Sequence, residues 1–215
     1  MFQNRDQAGQ ALAALLRHHR GAVVLALPRG GVPVAVPIAV AVKGPLDLLL
    51  VRKVGVPGQP ELAVGAVAGP RGDRLVINDA VARMAGLTPA QIDRLADTAR
   101  AELERRRALW TANRPPPAVA GQTVILVDDG AATGATMRAA VDALRTMGPK
   151  RIVVALPVAS AEALTALEMI ADEVVCLLRP IPFYAVGAHY HDFPQIADDA
   201  VQTLLNAAQR NQAPR

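Results

Sequence analysis

The chain has one cysteine, one tryptophan, two tyrosines and three phenylalanines in 215 residues. The single Cys176 excludes an internal disulfide and any site built on clustered thiolates. It lies in Glu173-Val174-Val175-Cys176-Leu177-Leu178 and reads as buried strand packing. With aromatics at 3%, Val, Leu, Ala and Ile must fill the interior. No Gly-Lys-Ser/Thr triplet occurs, which excludes a nucleotide P-loop. No uninterrupted membrane-length apolar run occurs either. Residues 21–51 are very apolar, but Pro28, Arg29, Pro33, Pro37, Lys43 and Asp47 break them up. A secretory leader is not expected, because Gln3, Asn4, Arg5 and Asp6 are polar and the apolar run at 11–16 ends in Arg17-His18-His19-Arg20. These absences predict a cytoplasmic protein without a membrane partner.

What is present suits an α/β fold. Hydrophobic residues make up 52% and charged residues 20%, and the length allows one domain, 1–215, with a sizeable core. The net charge of +4 and pI near 9.8 suit a polyanionic small substrate or nucleic acid and decide little between them. Asp6 to His19 reads as a helix, Ala22 to Leu27 as a strand, Pro33 to Val42 as a helix and Leu46 to Val51 as a second strand. The alternation then breaks. Ala63 to Ala68 and Arg74 to Ile77 flank a turn at 69–73. Thr88-Pro89-Ala90-Gln91 is a capping box opening a helix to about Ala112, stopped by Pro115-Pro116-Pro117. Strands at 123–128, 151–157 and 173–178 follow, with helices near 135–147, 160–170 and 195–208 and a frayed tail at 211–215. Strands alternating with helices predict a Rossmann-like parallel sheet flanked by helices. A hairpin and long helix over 55–117 form an insert.

The most informative segment is Val124-Ile125-Leu126-Val127-Asp128-Asp129-Gly130-Ala131-Ala132-Thr133-Gly134-Ala135-Thr136. A continuous aliphatic run suits a strand covered on both faces. Its carboxyl end is where open α/β sheets bind ligands. Gly130, Ala131 and Ala132 let the backbone close on a ligand. The helix from Met137 aims its N-terminus and the loop amides at one point, which favours a phosphate. Thr133 and Thr136 add hydroxyls. Asp128 and Asp129, as ionised acceptors, require donors such as ribose hydroxyls, or a metal. Taken alone, the aspartates also fit a turn with a helix cap.

Leu27-Pro28-Arg29-Gly30-Gly31-Val32-Pro33 occupies the same sheet edge. Its glycines permit close approach, and Arg29 could fork onto a diphosphate; an ordinary turn with an exposed arginine fits as well. Arg52-Lys53 ends the second strand and could serve an anionic substrate, cap a sheet edge or meet Glu61. The stretch 183–193 holds four of the six aromatics and two of the four histidines. Tyr184 and Tyr190 are candidates to sandwich a planar acceptor, whereas Phe183 and Phe193 read as a small satellite core. His189 and His191 lack the carboxylates of a zinc site. Arg100, Arg105, Arg106 and Arg107 interleave with Glu102 and Glu104, which reads as a solvated helix face.

The segment at 124–136 resembles the phosphoribosyl pyrophosphate (PRPP) motif of the type I phosphoribosyltransferases. The Arg-Gly-Gly loop, the Arg-Lys-Val-Gly strand end and the Phe-Tyr-Ala-Val-Gly tail look like the uncharacterised "predicted phosphoribosyltransferase" group. The resemblance implies the fold of that family, with an insert and a hood at 179–194. It implies that Asp128 and Asp129 contact the ribose and that residues 130–134 with Thr136 hold the 5′-phosphate. By the same resemblance Arg29, Gly30 and Gly31 take pyrophosphate, often around a non-proline cis peptide. Arg29, Lys53, Asp128 and Asp129 are the implied catalytic set, with Mg²⁺ held mainly by substrate oxygens and no direct protein ligand. Ala132 stands where hypoxanthine-guanine members carry an aspartate, as in the adenine-type pattern, so a 6-oxopurine acceptor is disfavoured. The implied activity is transfer of phosphoribosyl to a nitrogen nucleophile, such as a nucleobase, with a homodimer compatible. The other readings are a regulator that senses PRPP or a nucleotide and acts on nucleic acid, though no recognition-helix signature is seen, and hydrolysis or pyrophosphorolysis of a nucleotide.

Overall fold

The computed structural model describes residues 1–69, 74–111 and 115–210, leaving out the side chains of Pro60, Glu61 and Gln209. The expected turn at 70–73, the helix end at 112, the tail at 211–215 and a partnership with Glu61 therefore lie outside the described residues. In chain order the elements are α1 (Arg5–Leu16), β1 (Val23–Ala26), α2 (Gly31–Val42), β2 (Leu46–Leu48), β3 (Leu50–Val56), β4 (Gln59–Gly69), β5 (Arg74–Ile77), α3 (Asp79–Met84) and α4 (Pro89–Thr111). They continue with β6 (Thr123–Val127), α5 (Ala135–Arg145), β7 (Arg151–Val158), α6 (Ala161–Glu168), β8 (Glu173–Leu178), a 3₁₀ turn at Val186–His189, and α7 (Asp198–Arg210).

Five strands form a parallel sheet in the order β2-β1-β6-β7-β8. Alternate residues go to opposite faces. Val24, Ala26, Ile125 and Val127 pack with α1, α2 and α7 on one side. Val23, Leu25, Val124 and Leu126 pack with α5 and α6 on the other. Both faces are covered, which is why the strands read as continuous aliphatic runs. Connection order reverses between β1 and β6, so the loops after these two strands lie side by side at the sheet's switch point.

The insert departs from expectation. Residues 46–51 do not form one strand. The chain leaves the parallel sheet after Leu48, and Leu50–Val56 starts a separate antiparallel sheet, β3-β4-β5. Leu49 is the joint: its N–H still bonds Ala26 O at 3.0 Å, and its side chain is fully buried in the α5–α6 side of the core. Arg52 and Lys53 therefore sit within β3 rather than at the end of a parallel strand. The short helix α3 was not expected.

On the other face α1 crosses α2 at Gly9, where a Cβ would lie 2.4 Å from Val34 O. That close crossing, with Asn4 capping the helix through Gln7 N, aims the start of α1 at the ligand edge. Among the described residues no helix is long and apolar enough to cross a membrane. Cys176 is half-buried against the α5–α6 core, and burial pushes its thiol up, consistent with strand packing.

Leu49→Ala should destabilise the protein by about 2–5 kcal/mol, the usual cost of truncating a buried leucine. The urea midpoint should fall with an unchanged m-value; a midpoint equal to wild type would mean that Leu49 does not couple the two sheets.

Candidate active site

The loop after β6 builds the first part of the site. Ala131 is fixed by its N–H to Val158 O at 3.0 Å and by its carbonyl, which accepts from Ser160 N at 3.0 Å. Ser160 Oγ also donates to Ala132 O at 2.6 Å. Gly134 has φ +68° at the N-cap of α5, a left-handed conformation that suits glycine. Among the described residues no acceptor pairs with the N–H of Ala132, Thr133 or Gly134. Three consecutive amides thus remain available at a helix N-terminus, an anion-binding arrangement. A crevice of about 120 Å³ lies here, lined by Asp128, residues 130–136 and Met137. Gly130 must be bare because a Cβ would lie 2.6 Å from Val186 Cγ1.

The loop after β1 abuts it. The Pro28–Arg29 peptide is cis. A Cβ on Gly30 would lie 1.9 Å from Asp129 Oδ2, and one on Gly31 would lie 2.6 Å from Val127 O. The glycines are therefore required by the closeness of the two loops themselves. Arg29 Nη1 stands 3.5 Å from Asp198 Oδ1 at the start of α7, and the same oxygen accepts from Trp110 Nε1 at 3.1 Å.

The two aspartates are treated differently. Asp128 lines the loop crevice, and its Oδ1 accepts from Asp129 N at 2.8 Å. Burial raises its carboxyl well above the usual carboxylate range, and the Asp129 charge adds to the rise. Asp129 turns toward Arg5, whose Nε donates to Oδ2 at 2.7 Å. Its backbone carbonyl accepts from Tyr190 Oη at 2.6 Å. Burial and then the Asp129 charge push the Tyr190 phenol up, so it stays a neutral donor.

Lys53 lines a separate cleft of about 490 Å³ between the antiparallel sheet and α5, together with Arg138 and Asp142. That cleft meets the loop crevice at Ala135, which lines both. Tyr184 is 82% exposed, whereas Tyr190 is buried, stacked on Phe193 at 4.8 Å and close to Phe2. Four arginines of α4 are paired within the helix: Arg100 with Asp93 and Asp97, Arg105 and Arg106 with Glu102, Arg107 with Glu104. The structure thus brings the 28–31 and 128–136 loops together, sets Lys53 one cleft away, and leaves Tyr184 and Tyr190 in opposite surroundings.

Sequence reasoning passed over Arg5. One signal was there: a cation in the first turn of a helix opposes the helix dipole and calls for an anionic partner. Asp198 was missed as well.

Comparison with known proteins identifies the family of the chain. Residues 3–192 match the phosphoribosyl transferase domain family. A Mycobacterium tuberculosis H37Rv protein named "Putative phosphoribosyl transferase" is 43% identical over 213 residues, which is 98% of this chain and 48% of that protein. The chain thus spans about half the length of the curated relatives it matches. The crystal structure of TT1426 from Thermus thermophilus shares 45% identity and a TM-score of 0.87, covering 95% of this chain and 97% of that one.

The raised Asp128 carboxyl has a consequence for stability. An acid whose folded-state value lies above its unfolded value stabilises the fold when protonated, and that contribution is lost as pH rises through the folded value. Asp128→Asn should therefore unfold at higher urea than wild type at pH 8, with the difference shrinking toward pH 4. Equal gains at both pH values would show that the carboxyl is not strained by burial.

Proposed function

The chain belongs to the phosphoribosyl transferase domain family, and from that membership we propose that it moves 5-phosphoribosyl from PRPP to a nitrogen nucleophile, releasing pyrophosphate. One observation carries the reading: the free amides of Ala132, Thr133 and Gly134 stand beside Asp128, next to the Arg29-Gly30-Gly31 loop. In this reading the amides, with the Thr133 and Thr136 hydroxyls, hold the 5′-phosphate. Of the acid pair, Asp128 faces the ribose from the crevice, with Asp129 held behind it by Arg5. The 28–31 loop takes the diphosphate, with Arg29 as its cation. Lys53 adds charge from the adjoining cleft. The 55–117 segment shields the reaction from water.

In this reading Mg²⁺ is held mainly by the substrate's own oxygens, and Asp128 and Asp129 are the residues at the loop that could add to its shell. Two carboxylates stand at the loop, and among the described residues no third metal-type donor joins them. The described cluster of three such donors is His18, His19 and Glu173, at the opposite edge of the sheet. Mg²⁺ commonly takes one or two carboxylates plus substrate phosphates. When bound, it would neutralise charge on the leaving pyrophosphate. The protein's own contribution at that charge is the 28–31 loop, with Arg29 turning to it from Asp198.

We infer a cytoplasmic setting and a small-molecule acceptor. A nucleic-acid partner is disfavoured, since four of the five α4 arginines pair with acids of their own helix, Arg94 being the exception among the described residues. Tyr184 is exposed enough to stack on a planar acceptor. Tyr190 instead supports Asp129 from beneath. Ala132 supplies no acid to the acceptor, so a 6-oxopurine remains the less favoured choice.

The test is pyrophosphate release from Mg-PRPP against purine, pyrimidine, pyridine and amine acceptors. Release with one acceptor is expected, and the Asp128→Asn/Asp129→Asn double variant should lose at least about 10²-fold in rate, as sites deprived of preorganised polar groups do. Wild-type protein that neither releases pyrophosphate nor binds PRPP would overturn the assignment; an unaffected double variant would overturn the site.

A further inference from the structure

Arg5 is the first residue of α1, a place where a cation opposes the helix dipole. It is nonetheless buried, with its side chain 8% exposed and that of Asp129 15%. Its guanidinium is held on three sides. Nε donates to Asp129 Oδ2 at 2.7 Å, Nη1 donates to Pro194 O at 2.9 Å, and the Phe193 ring lies under Cζ at 3.6 Å. The last contact is a cation–π arrangement.

The surroundings make this more than a core ion pair. The segments that deliver Arg5 and Phe193 are joined by backbone bonds: Phe2 N to His189 O at 2.8 Å, His191 N to Phe2 O at 2.9 Å and Asp192 N to Gln3 O at 2.9 Å. The joined segments grip residue 129 twice, through Arg5 at its carboxylate and through Tyr190 at its carbonyl. The carboxylate oxygen that Arg5 holds is also the atom a Cβ on Gly30 would strike. The pose of Asp129 therefore sets the spacing between the two ligand loops. Asp128, not held by Arg5, is left as the acid on the crevice.

We propose that Arg5 is the positioning residue of the acid pair: it fixes Asp129 against Gly30, so that the β1 and β6 loops stand at the spacing PRPP requires while Asp128 faces the sugar. The proposal rests on the PRPP reading above. Arg5 touches no substrate in this scheme and acts through Asp129. Removing it leaves Asp129 an uncompensated, largely buried charge beside Asp128. The acid pair then repels itself, and the loop spacing is no longer fixed.

The experiment is calorimetric titration of Mg-PRPP into wild type, Arg5→Gln, Arg5→Lys, Asp129→Asn and the Arg5→Gln/Asp129→Asn double variant, with thermal unfolding of each. Arg5→Gln should weaken binding about tenfold. Arg5→Lys, which keeps the charge but loses the planar fork, should recover part of it. In the double variant the two losses should not multiply, since residues acting through one contact couple. Losses that multiply within about twofold would overturn the proposal, as would Arg5→Gln binding like wild type with only its unfolding temperature lowered. If Arg5→Gln fails to fold, Arg5→Lys and Asp129→Asn decide: wild-type affinity in both overturns it. Wild-type protein that does not bind Mg-PRPP overturns the PRPP reading and this proposal with it. Wild-type binding with multiplying losses overturns the proposal alone.

Discussion

Parallel pairing of Val23–Ala26 with Val124–Val127 comes first in any causal account of this molecule. Both strands are aliphatic on both faces, so they sit centrally, with helices packed above and below. Because chain order reverses between them, the loops that leave them have no crossover helix in between. They meet, and the contact is tight enough that residue 30 has room for a hydrogen but no methyl group against the Asp129 carboxylate. The candidate phosphate cradle, the acid pair and the Arg-Gly-Gly turn all follow from this adjacency.

A second layer of structure serves that junction from outside the sheet. The N-terminal residues and the aromatic segment at 183–193 lie far apart in sequence, yet they close on each other beneath Asp129. In a chain with six aromatics, Phe2, Tyr190 and Phe193 are gathered at one place. Their rings make a small apolar cluster with Ala8 and Val158. The cluster both desolvates the ion pair and supplies the hydroxyl that takes the Asp129 carbonyl.

The legibility of these features varied with the length of the interaction that creates them. The central strands and both loops could be read because each is a local pattern: an aliphatic run, then small residues, then a helix. The passage from β2 to β3 could not, since Leu48-Leu49-Leu50-Val51 is uniformly aliphatic and carries no mark of the change of sheet. Pro57-Gly58, where β3 turns into β4 with Gly58 at φ +79°, was a turn signal that the broken alternation around it obscured. Arg5 lay beyond reach for a different cause. Its partners are Asp129, Phe193 and Pro194, and nothing local at residues 1–10 shows which carboxylate answers it. Tyr190 likewise read as a candidate ring for a ligand because composition cannot tell a stacked ring from a buried one.

Arg29 ends its side chain near Asp198 of α7, and that aspartate also takes the indole N–H of Trp110 from α4. The loop that would meet a diphosphate thus already has a counter-anion of its own. In the proposed reaction, substrate entry is an exchange of one negative partner for another at Arg29. The affinity of the loop for its ligand is then a difference between two ion pairs. Asp198 left without Arg29 keeps its bond from Trp110, so it is not stripped of every partner by that exchange.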